Sequence, residues 1–466
     1  MKIGGGRLDF LAPHLLRSPL LRPGFVRLSL RLGAARKLPS WARLQFTNSG
    51  ISTEDLNLVL GRVTSLESWV EEWEKLGIQH EDAGAAELER GETAAAAREL
   101  LTASAAYDFA QYVMFVDIRR KRALHESCVR AYAKAAPLLD PPARLFQISY
   151  RRNAVKGWLR VPVGRGPAPV VVLFHGTNGV KEELHWWTES LLERGLATLT
   201  FDGPGLGETF HRLSMVVEPR PLWNAIYQAI ESEPLLDPGA VGLVGNSLGA
   251  YMALRMAAHD PHVRAVAAVS PPYSISIYWN LTMGGMRREL AALYNTTEAQ
   301  MAAVVARMTL AGILPQLRAP LLVVGGGHDL ITPGEEARHI FEEARCERQF
   351  IYYPAGAHDC FNVLGDLRPR VAGWLVAHLA SARRTRALAR VPAAPAAVED
   401  ADAWMAAEAV DPDFADELRG EAAPLRWRPV VPAPMPAHWS WWRRSSGERV
   451  QIVFRHANGD GVLSPA

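Results

Sequence analysis

Cysteine is scarce in this chain. Its 466 residues include three cysteines, Cys128, Cys346 and Cys360, which are odd in number, far apart and form no Cys-x-x-Cys pair. This usage excludes a disulfide framework and a thiolate zinc site. It also suits a reducing compartment, so we expect a cytoplasmic protein.

Long apolar runs and an excess of one charge are also missing. The longest apolar runs, such as residues 170–174, fall far short of the roughly 18–20 residues that a membrane span needs. The 51 Lys and Arg residues and the 49 Asp and Glu residues leave a net charge of +2. A balance that small argues against a nucleic-acid-binding protein.

The first 50 residues are basic, with nine Lys or Arg residues and one acid, Asp9. Prolines and arginines between Pro13 and Arg22 interrupt the leucines, and a small-residue cleavage site is absent, so the segment does not read as a secretory signal. We expect an amphipathic arm that lies on the protein's own surface, with contact to a membrane surface or a partner as the alternative.

Helical patterns dominate the next part of the chain. Thr64 and Glu67 form a capping box, and apolar residues then recur at helical spacing over residues 66–76. A second pattern runs over about 92–122, and a third over 124–136. We expect these segments to form a helical layer whose apolar stripes pack in the core rather than bind a cofactor.

From about residue 145 to 380, short β-rich runs alternate with helical patterns, which predicts an α/β fold with a mostly parallel sheet of about eight strands and helices on both faces. Several runs are nearly all apolar, which is typical of strands buried on both sides. The predicted strands are 145–150, 157–161, 170–174, 197–201, 240–244, 263–269, 320–324 and 349–353.

The composition changes again after residue 380. An Ala/Pro-rich stretch at 391–398 reads as a linker, an acidic patch follows at 400–417, and the end is rich in Pro and Trp, with a strand-like run at 449–454. We expect the α/β core to fold without residues 392–466. Their Trp-rich part either docks on the core or on a sister subunit, or binds a partner. The predicted domains are a basic arm (1–50), a helical domain (51–144), an α/β domain (145–382) with an insertion (271–318), and the tail (383–466).

Gly245-Asn246-Ser247-Leu248-Gly249 matches the pattern G-x-S-x-G. Because such a string arises readily by chance, its context decides its meaning. It directly follows a predicted strand and directly precedes a helical pattern. That order is typical of a nucleophile elbow, whose sharp turn presents the Ser247 hydroxyl above the sheet.

A serine hydroxyl needs a base before it becomes a good nucleophile. His358 follows the last predicted strand and is our candidate base, and Asp329 follows the strand before it and is our candidate for the acid that orients the imidazole. Asp359 and His328 are the alternatives, although each neighbours a better-placed residue. Because the base must be neutral, we expect kcat/KM to rise with pH through an apparent pKa of about 6–7.

An oxyanion hole needs two N–H donors. We predict the backbone N–H of Leu248, next to the nucleophile, and that of Thr177, in the loop after strand 170–174. His175 is expected to be a structural residue of that loop. No metal or other cofactor is expected in this chemistry.

These motifs resemble the α/β-hydrolase fold, and more narrowly the FrsA-like esterase group that includes the dihydroxypseudooxynicotine hydrolases. The narrower resemblance covers about residues 55–380. It rests on the helical region, on Lys181-Glu182-Glu183, on the loop Asp202-Gly203-Pro204-Gly205, and on the order of the three candidate catalytic residues. It implies hydrolysis of esters or of carbon–carbon bonds next to ketones, a helical lid over the site, and a homodimer.

Aromatic side chains are expected to form a large apolar pocket for a small-molecule substrate. The predicted substrate-binding residues are Asn178, Trp186, Tyr273, Tyr278 and Trp279, and further candidates for the lining are Tyr107, Phe109, Tyr112, Trp187, Met283 and Met286. The alternative is that half or more of these side chains only pack the lid. The sequence therefore predicts a serine hydrolase of a bulky, aromatic or polyketide-like compound. The alternatives are a catalytically idle binding protein with a partner-docking tail, and a peptidase.

Overall fold

The computed structural model describes residues 28–112, 117–164, 166–210, 212–279, 287–288, 291, 297–388, 440–443 and 449–455. Most of the predicted basic arm, the Ala/Pro linker, the acidic patch, and Met283 and Met286 lie outside these residues. So does the side chain of Tyr278.

Twelve α-helices have both ends within the described residues. They are α1 (Ser40–Thr47), α2 (Thr53–Arg62), α3 (Leu66–Glu89), α4 (Thr93–Gln111), α5 (Ile118–Ala135), α6 (His185–Leu192), α7 (Arg220–Glu231), α8 (Leu248–His259), α9 (Ile275–Trp279), α10 (Glu298–Arg307), α11 (Gly334–Glu343) and α12 (Leu364–Leu388).

The described strands form one sheet in the order β1-β2-β4-β3-β5-β6-β7-β8-β10-β9. They are β1 (Ala143–Tyr150), β2 (Asn153–Arg160), β3 (Ala168–Phe174), β4 (Ala197–Phe201), β5 (Leu236–Asn246), β6 (Val263–Val269), β7 (Leu321–Gly326), β8 (Arg348–Tyr353), β9 (Ser440–Arg443) and β10 (Arg449–Arg455). Strands β3 to β8 run parallel. At one edge β2 pairs antiparallel with β4, and β1 pairs antiparallel with β2.

The central strands are buried on both faces, as their apolar sequences predict. Val170 and Val172 of β3 pack with α7, α8 and α11 on one face of the sheet. Val171 and Leu173 pack with α6 and α12 on the other face. The predicted α/β fold, with its eight mostly parallel strands and helices on both faces, is confirmed.

The helical layer has a separate aromatic core. Trp73 is fully buried, and its ring lies 5.3 Å from that of Phe46 and 5.1 Å from that of Phe109, measured between centroids. Phe46 lies within the segment predicted as a surface arm, so the helical core begins before residue 51. Burial of these large rings, rather than helix propensity, holds the layer together.

Two details of the helical prediction are wrong. Ser65, not Thr64, caps α3, and it forms a capping box with Ser68 rather than with Glu67. The second predicted helix does not continue to residue 122, because α4 ends at Gln111 and a separate helix, α5, begins at Ile118. The side chain of Asp117 caps that new helix by accepting a hydrogen bond from the N–H of Arg120.

The tail contributes two strands to the edge of the sheet. β10 pairs antiparallel with β8, with Ile452 opposite Ile351, and β9 pairs with β10. The strand-like run at 449–454 is thus a strand, and it covers the backbone groups of β8 that would otherwise form an open edge. Of the two outcomes predicted for the tail, the structure shows docking on the core.

None of the helices in the described ranges is both long enough and apolar enough to cross a bilayer.

Candidate active site

Ser247 lies at a sharp turn between β5 and α8. Its backbone has φ 50° and ψ −118°, a conformation that residues with a side chain rarely adopt. The N–H of Ser247 donates to the carbonyl of Val269 at 2.9 Å, which anchors the turn to the neighbouring strand β6. Backbone strain of this kind persists where surrounding structure enforces it, and it is frequent at active sites.

The glycines of the motif are required by close backbone contacts. A Cβ atom on Gly245 would overlap the backbone of Gly249, and a Cβ atom on Gly249 would overlap the carbonyl of Phe174. The strand and the helix therefore approach each other closely only because both positions lack a side chain. This packing directs the N-terminus of α8, with its partial positive charge, toward the site.

The structure brings Asp329 and His358 together. Nδ1 of His358 lies 3.0 Å from each carboxylate oxygen of Asp329. Thr332 supports the pair, since its hydroxyl oxygen is 3.0 Å from Oδ2 of Asp329 and 3.0 Å from Nδ1 of His358. The N–H groups of Ile331 and Thr332 donate to Asp329 as well. Nε2 of His358 is the nitrogen left to face the cavity.

The charges around this pair shift both pKa values. Burial alone would raise the pKa of Asp329, but the nearby His358 and the donated hydrogen bonds hold it below its usual value. Burial alone would lower the pKa of His358, but the carboxylates of Asp359 and Asp329 outweigh burial and raise it to about 9. A neutral imidazole is therefore favoured only at alkaline pH.

Asp359, which the sequence left as an alternative, faces the other side of the imidazole. Its Oδ2 atom lies 3.7 Å from Nε2 of His358. A Cβ atom built on Gly176 would lie 3.3 Å from Cβ of Ser247 and 3.9 Å from Oδ2 of Asp359. Ser247 and Asp359 thus flank the same point of the loop after β3.

His175 is a structural residue of this loop, as expected. Its Nδ1 lies 2.7 Å from the carbonyl oxygen of Gly176, and its Nε2 lies 3.0 Å from Oδ1 of Asp202. Asp202 also accepts hydrogen bonds from the backbone N–H groups of Lys181 and Glu208. The glycine-rich loop after β4 therefore supports the loop after β3 from below.

Asn178 is held by the helical layer. Its side-chain amide donates to the carbonyl of Tyr112 at 3.1 Å, and Gln111 donates to its backbone oxygen at 2.9 Å. Nζ of Lys121 donates to its side-chain oxygen at 3.3 Å and also contacts the side-chain oxygen of Gln111. Gln111 and Lys121 are both buried. These bonds connect the helices to the loop that carries Thr177.

A cavity of about 190 Å³ lies between the helical layer and the catalytic domain. His358 and Asp359 line it, and so does Asn246, the residue before the candidate nucleophile. Its aromatic lining residues are Phe109, Tyr112, Tyr132, Trp186, Trp187 and Phe361. The cavity therefore joins the candidate catalytic residues to an aromatic surface.

Only some of the predicted substrate-binding residues line the cavity. Trp186 lines the cavity, whereas Asn178 is engaged by the helices. Tyr273 does not line this cavity, because its hydroxyl donates to Glu343 at 2.6 Å and its ring stacks on His339. Trp279, within the insertion 271–318, is buried in the hydrophobic core. Tyr107 lies apart too, since its hydroxyl donates to Glu81.

Sequence reasoning missed the acidic character of the cavity. Asp108, Glu182, Glu183 and Asp359 all line it. Burial, with the charges of Asp108 and Asp359, raises the pKa of Glu183 well above its usual value. Glu183 belongs to the Lys181-Glu182-Glu183 run that carried the family resemblance, so the run itself was the available signal.

Comparison with known proteins supports a specific family. The model of the FrsA-like esterase family matches residues 41–294, which is more than half of the chain. The 2,6-dihydropseudooxynicotine hydrolase of Paenarthrobacter nicotinovorans is 28% identical over 341 residues, covering 72% of this chain and 90% of that protein. The hydrolyase poxO of Penicillium oxalicum is 31% identical over 246 residues, covering 48% of this chain and 58% of its own length.

Solved structures agree with this assignment. The crystal structure of the 2,6-dihydroxy-pseudo-oxynicotine hydrolase superposes with a TM-score of 0.66 at 26% identity, covering 72% of this chain and 96% of the other. The structure of AbyA5 gives a TM-score of 0.58 at 20% identity, which shows a shared fold. The chain is an α/β-hydrolase that belongs to the FrsA-like esterase family.

Proposed function

We propose that the chain is a serine hydrolase in which Ser247 attacks a substrate carbonyl and His358 removes the serine proton while Asp329 orients the imidazole. The N–H groups of Leu248 and Thr177 bind the oxyanion, and water then hydrolyses the acyl-enzyme. The observation that carries this proposal is the strained turn at Ser247, on the same edge of the parallel sheet as the hydrogen-bonded pair Asp329 and His358.

The substrate is a bulky, aromatic or polyketide-like small molecule with an ester or a carbon–carbon bond next to a ketone. The aromatic lining of the cavity supports this class, because Phe109, Tyr112, Trp186 and Trp187 offer flat apolar surfaces close to His358. The same elbow serves both bonds, since each reaction passes through a tetrahedral oxyanion. The leaving group is an alkoxide in one case and an enolate in the other.

The test is covalent labelling with a fluorophosphonate probe, followed by turnover of a panel of acyl donors. We expect labelling of the wild-type protein and of a Ser190→Ala control, and none of Ser247→Ala. Aryl esters should be turned over better than short, unbranched alkyl esters. Absence of labelling and turnover in the wild type would instead favour an idle binding protein, and equal turnover of short and aryl esters would contradict the aromatic site.

We also infer that the enzyme is a cytoplasmic homodimer. The dimer is implied by the resemblance to the FrsA-like group. The compartment is supported by Cys128, Cys346 and Cys360, which are all buried free thiols. Light scattering coupled to size-exclusion chromatography measures the mass directly, and a monomeric mass of about 51.3 kDa would contradict the dimer.

A further inference from the structure

A carboxyl group lies against the imidazole nitrogen at which protons are exchanged. Oδ2 of Asp359 is 3.7 Å from Nε2 of His358, whereas Asp329 binds the opposite nitrogen, Nδ1. In a serine hydrolase, Nε2 takes the proton of the nucleophile and later delivers it to the leaving group. Asp359 therefore lies where the leaving group departs.

The backbone at this position is strained in a way that turns the carboxyl inward. Asp359 has φ 54° and Cys360 has φ 51°, both in the left-handed region. The N–H of Asp359 donates to the hydroxyl of Ser270 at 3.0 Å, which holds the turn. As a result the neighbours His358 and Asp359 both line the cavity, although consecutive side chains of an extended chain would point apart.

The carboxyl also lacks a full set of partners. Oδ1 of Asp359 is buried and has no hydrogen-bond partner in the part of the chain that the structure describes. Buried polar atoms are normally paired, so this oxygen is available to a polar group that enters the cavity. Oδ2 lies close to Gly176, in the loop after β3 that carries the proposed oxyanion donor Thr177. An ionised carboxylate at this place would repel the oxyanion, whereas a protonated carboxyl donates a hydrogen bond instead.

We propose that Asp359 is a fourth catalytic residue, a protonated carboxyl that donates a hydrogen bond to the enolate oxygen of the leaving group, and that the substrate is accordingly a 1,3-diketone cleaved at a carbon–carbon bond. The inference rests on the proposed roles of Ser247, His358 and Asp329.

The reaction balances with one water consumed. Oγ of Ser247 bonds to one carbonyl carbon while Nε2 of His358 takes its proton. The tetrahedral intermediate collapses, the carbon–carbon bond breaks, and its electron pair forms an enolate whose oxygen accepts the hydrogen bond from Asp359. The imidazolium of His358 protonates the enolate carbon, and a ketone leaves. Water then attacks the acyl-enzyme, its proton returns through His358 to Ser247, and a carboxylic acid is released.

Sharing of one proton between Asp359 and His358 allows Asp359 to be a hydrogen-bond donor while His358 is a base. Burial raises the pKa of Asp359 to about 6, and the charges of Asp359 and Asp329 raise that of His358 to about 9. Between these values the pair Asp359 and His358 holds a single proton, which lies mainly on His358 in the resting enzyme. The reactive form is the tautomer in which Asp359 carries this proton and His358 is a neutral base. The other titratable groups that face Asp359 are Asp329, Glu183 and Tyr112. Burial raises the pKa of Glu183 and of Tyr112, which keeps both neutral.

The experiment compares kcat/KM for a matched aryl ester and aryl 1,3-diketone. Asp359→Gly removes the carboxyl and tolerates the positive φ, and it should lose about 10²-fold on the diketone but far less on the ester. Asp359→Asn keeps a donor and also tolerates this φ, so it should recover most of the loss. Glu347→Gln, an exposed acid on the surface, is the control and should match the wild type on both substrates.

The pH profile adds a second readout. Diketone cleavage by the wild type should fall above about pH 9, where the shared proton is lost, whereas ester cleavage should not; Asp359→Asn should abolish the fall. Equal losses on both substrates in Asp359→Gly, no recovery in Asp359→Asn, or no diketone turnover by the wild type would each overturn the inference while leaving a Ser247-dependent esterase intact. Turnover that survives Ser247→Ala would instead overturn the proposed function.

Discussion

The side-chain amide of Gln111 donates a hydrogen bond to the backbone oxygen of Asn178 across 2.9 Å, joining the last residue of α4 to the loop after β3. Lys121 of α5 contacts both residues from a buried position. The loop that carries Thr177 is therefore held in position by the helical layer, which lies against the candidate active site.

Removing the hydrogen bond between Gln111 and Asn178 should lower turnover. Gln111→Met removes the donor while keeping the side-chain length, so we expect kcat to fall about tenfold or more with a smaller change in KM. Steady-state kinetics on an aryl ester measures the split. Arg98→Gln, at an exposed position of the same helix, is the control. A Gln111→Met enzyme with unchanged kcat would show that this hydrogen bond does not position the loop that carries Thr177.

The three candidate catalytic residues should act as one unit. Ser247→Ala and His358→Ala are each expected to lower kcat by about 10⁴–10⁶, and the double variant should be little worse. Asp329→Asn should cost about 10⁴, because the wrong tautomer of His358 is then favoured. Pre-steady-state and steady-state rates test this. Losses that multiply in the double variant would contradict a shared mechanism.

Activity should be greatest at alkaline pH. His358 works only when neutral, and the carboxylates of Asp359 and Asp329 raise its pKa to about 9, so kcat/KM for an ester should rise until about that pH. This apparent pKa is higher than the value of about 6–7 predicted from the sequence, because only the fold shows that those two carboxylates lie beside His358. Asp359→Asn removes one charge and should move the limb to lower pH. A limb that does not move would contradict this electrostatic coupling.

The buried Lys181 should be needed for stability. Its ammonium lies 3.0 Å from Asp202, 2.9 Å from Glu182 and 2.5 Å from Glu208, and its side chain is fully buried. Lys181→Met leaves these acids uncompensated and should lower the free energy of unfolding by about 3–5 kcal/mol.

Urea unfolding measures that loss. The control is Lys156→Met, because Lys156 is half-exposed and lies 3.7 Å from Glu208, so its removal should cost less than about 1 kcal/mol. Equal losses in the two variants would show that burial of the ammonium does not matter.

Removing the tail should expose the edge of the sheet. Truncation at about residue 390 deletes β9 and β10, which leaves the backbone of β8 without its partner. An open edge strand promotes association between chains, so we expect lower solubility and larger particles in light scattering. Deleting only residues 456–466, which follow β10, is the control. A truncated protein that stays soluble and fully active would show that the tail is a separable module.

The strands and the elbow could be predicted because their causes are local. Apolar runs of strand length, each followed by a helical pattern, indicate a parallel sheet, and the loop containing His358 follows its last predicted strand. The ends of helices were harder to predict from the sequence. The break between Gln111 and Ile118 has no proline to mark it, and Ser65 caps α3 in place of Thr64 because capping depends on the backbone angles of one residue.

The sequence by itself determined the fold class and the candidates Ser247, Asp329 and His358, because periodicity and loop position follow from the chain order. The family was indicated separately, by the resemblance of its motifs to those of the FrsA-like group. Only the tertiary structure decided which side chains meet. Tyr273 turned to Glu343 and away from the cavity, the tail closed the sheet, and the positive φ of Asp359 brought its carboxyl to His358. Such contacts join residues that are distant in sequence, or depend on a single backbone angle, and no local pattern encodes them.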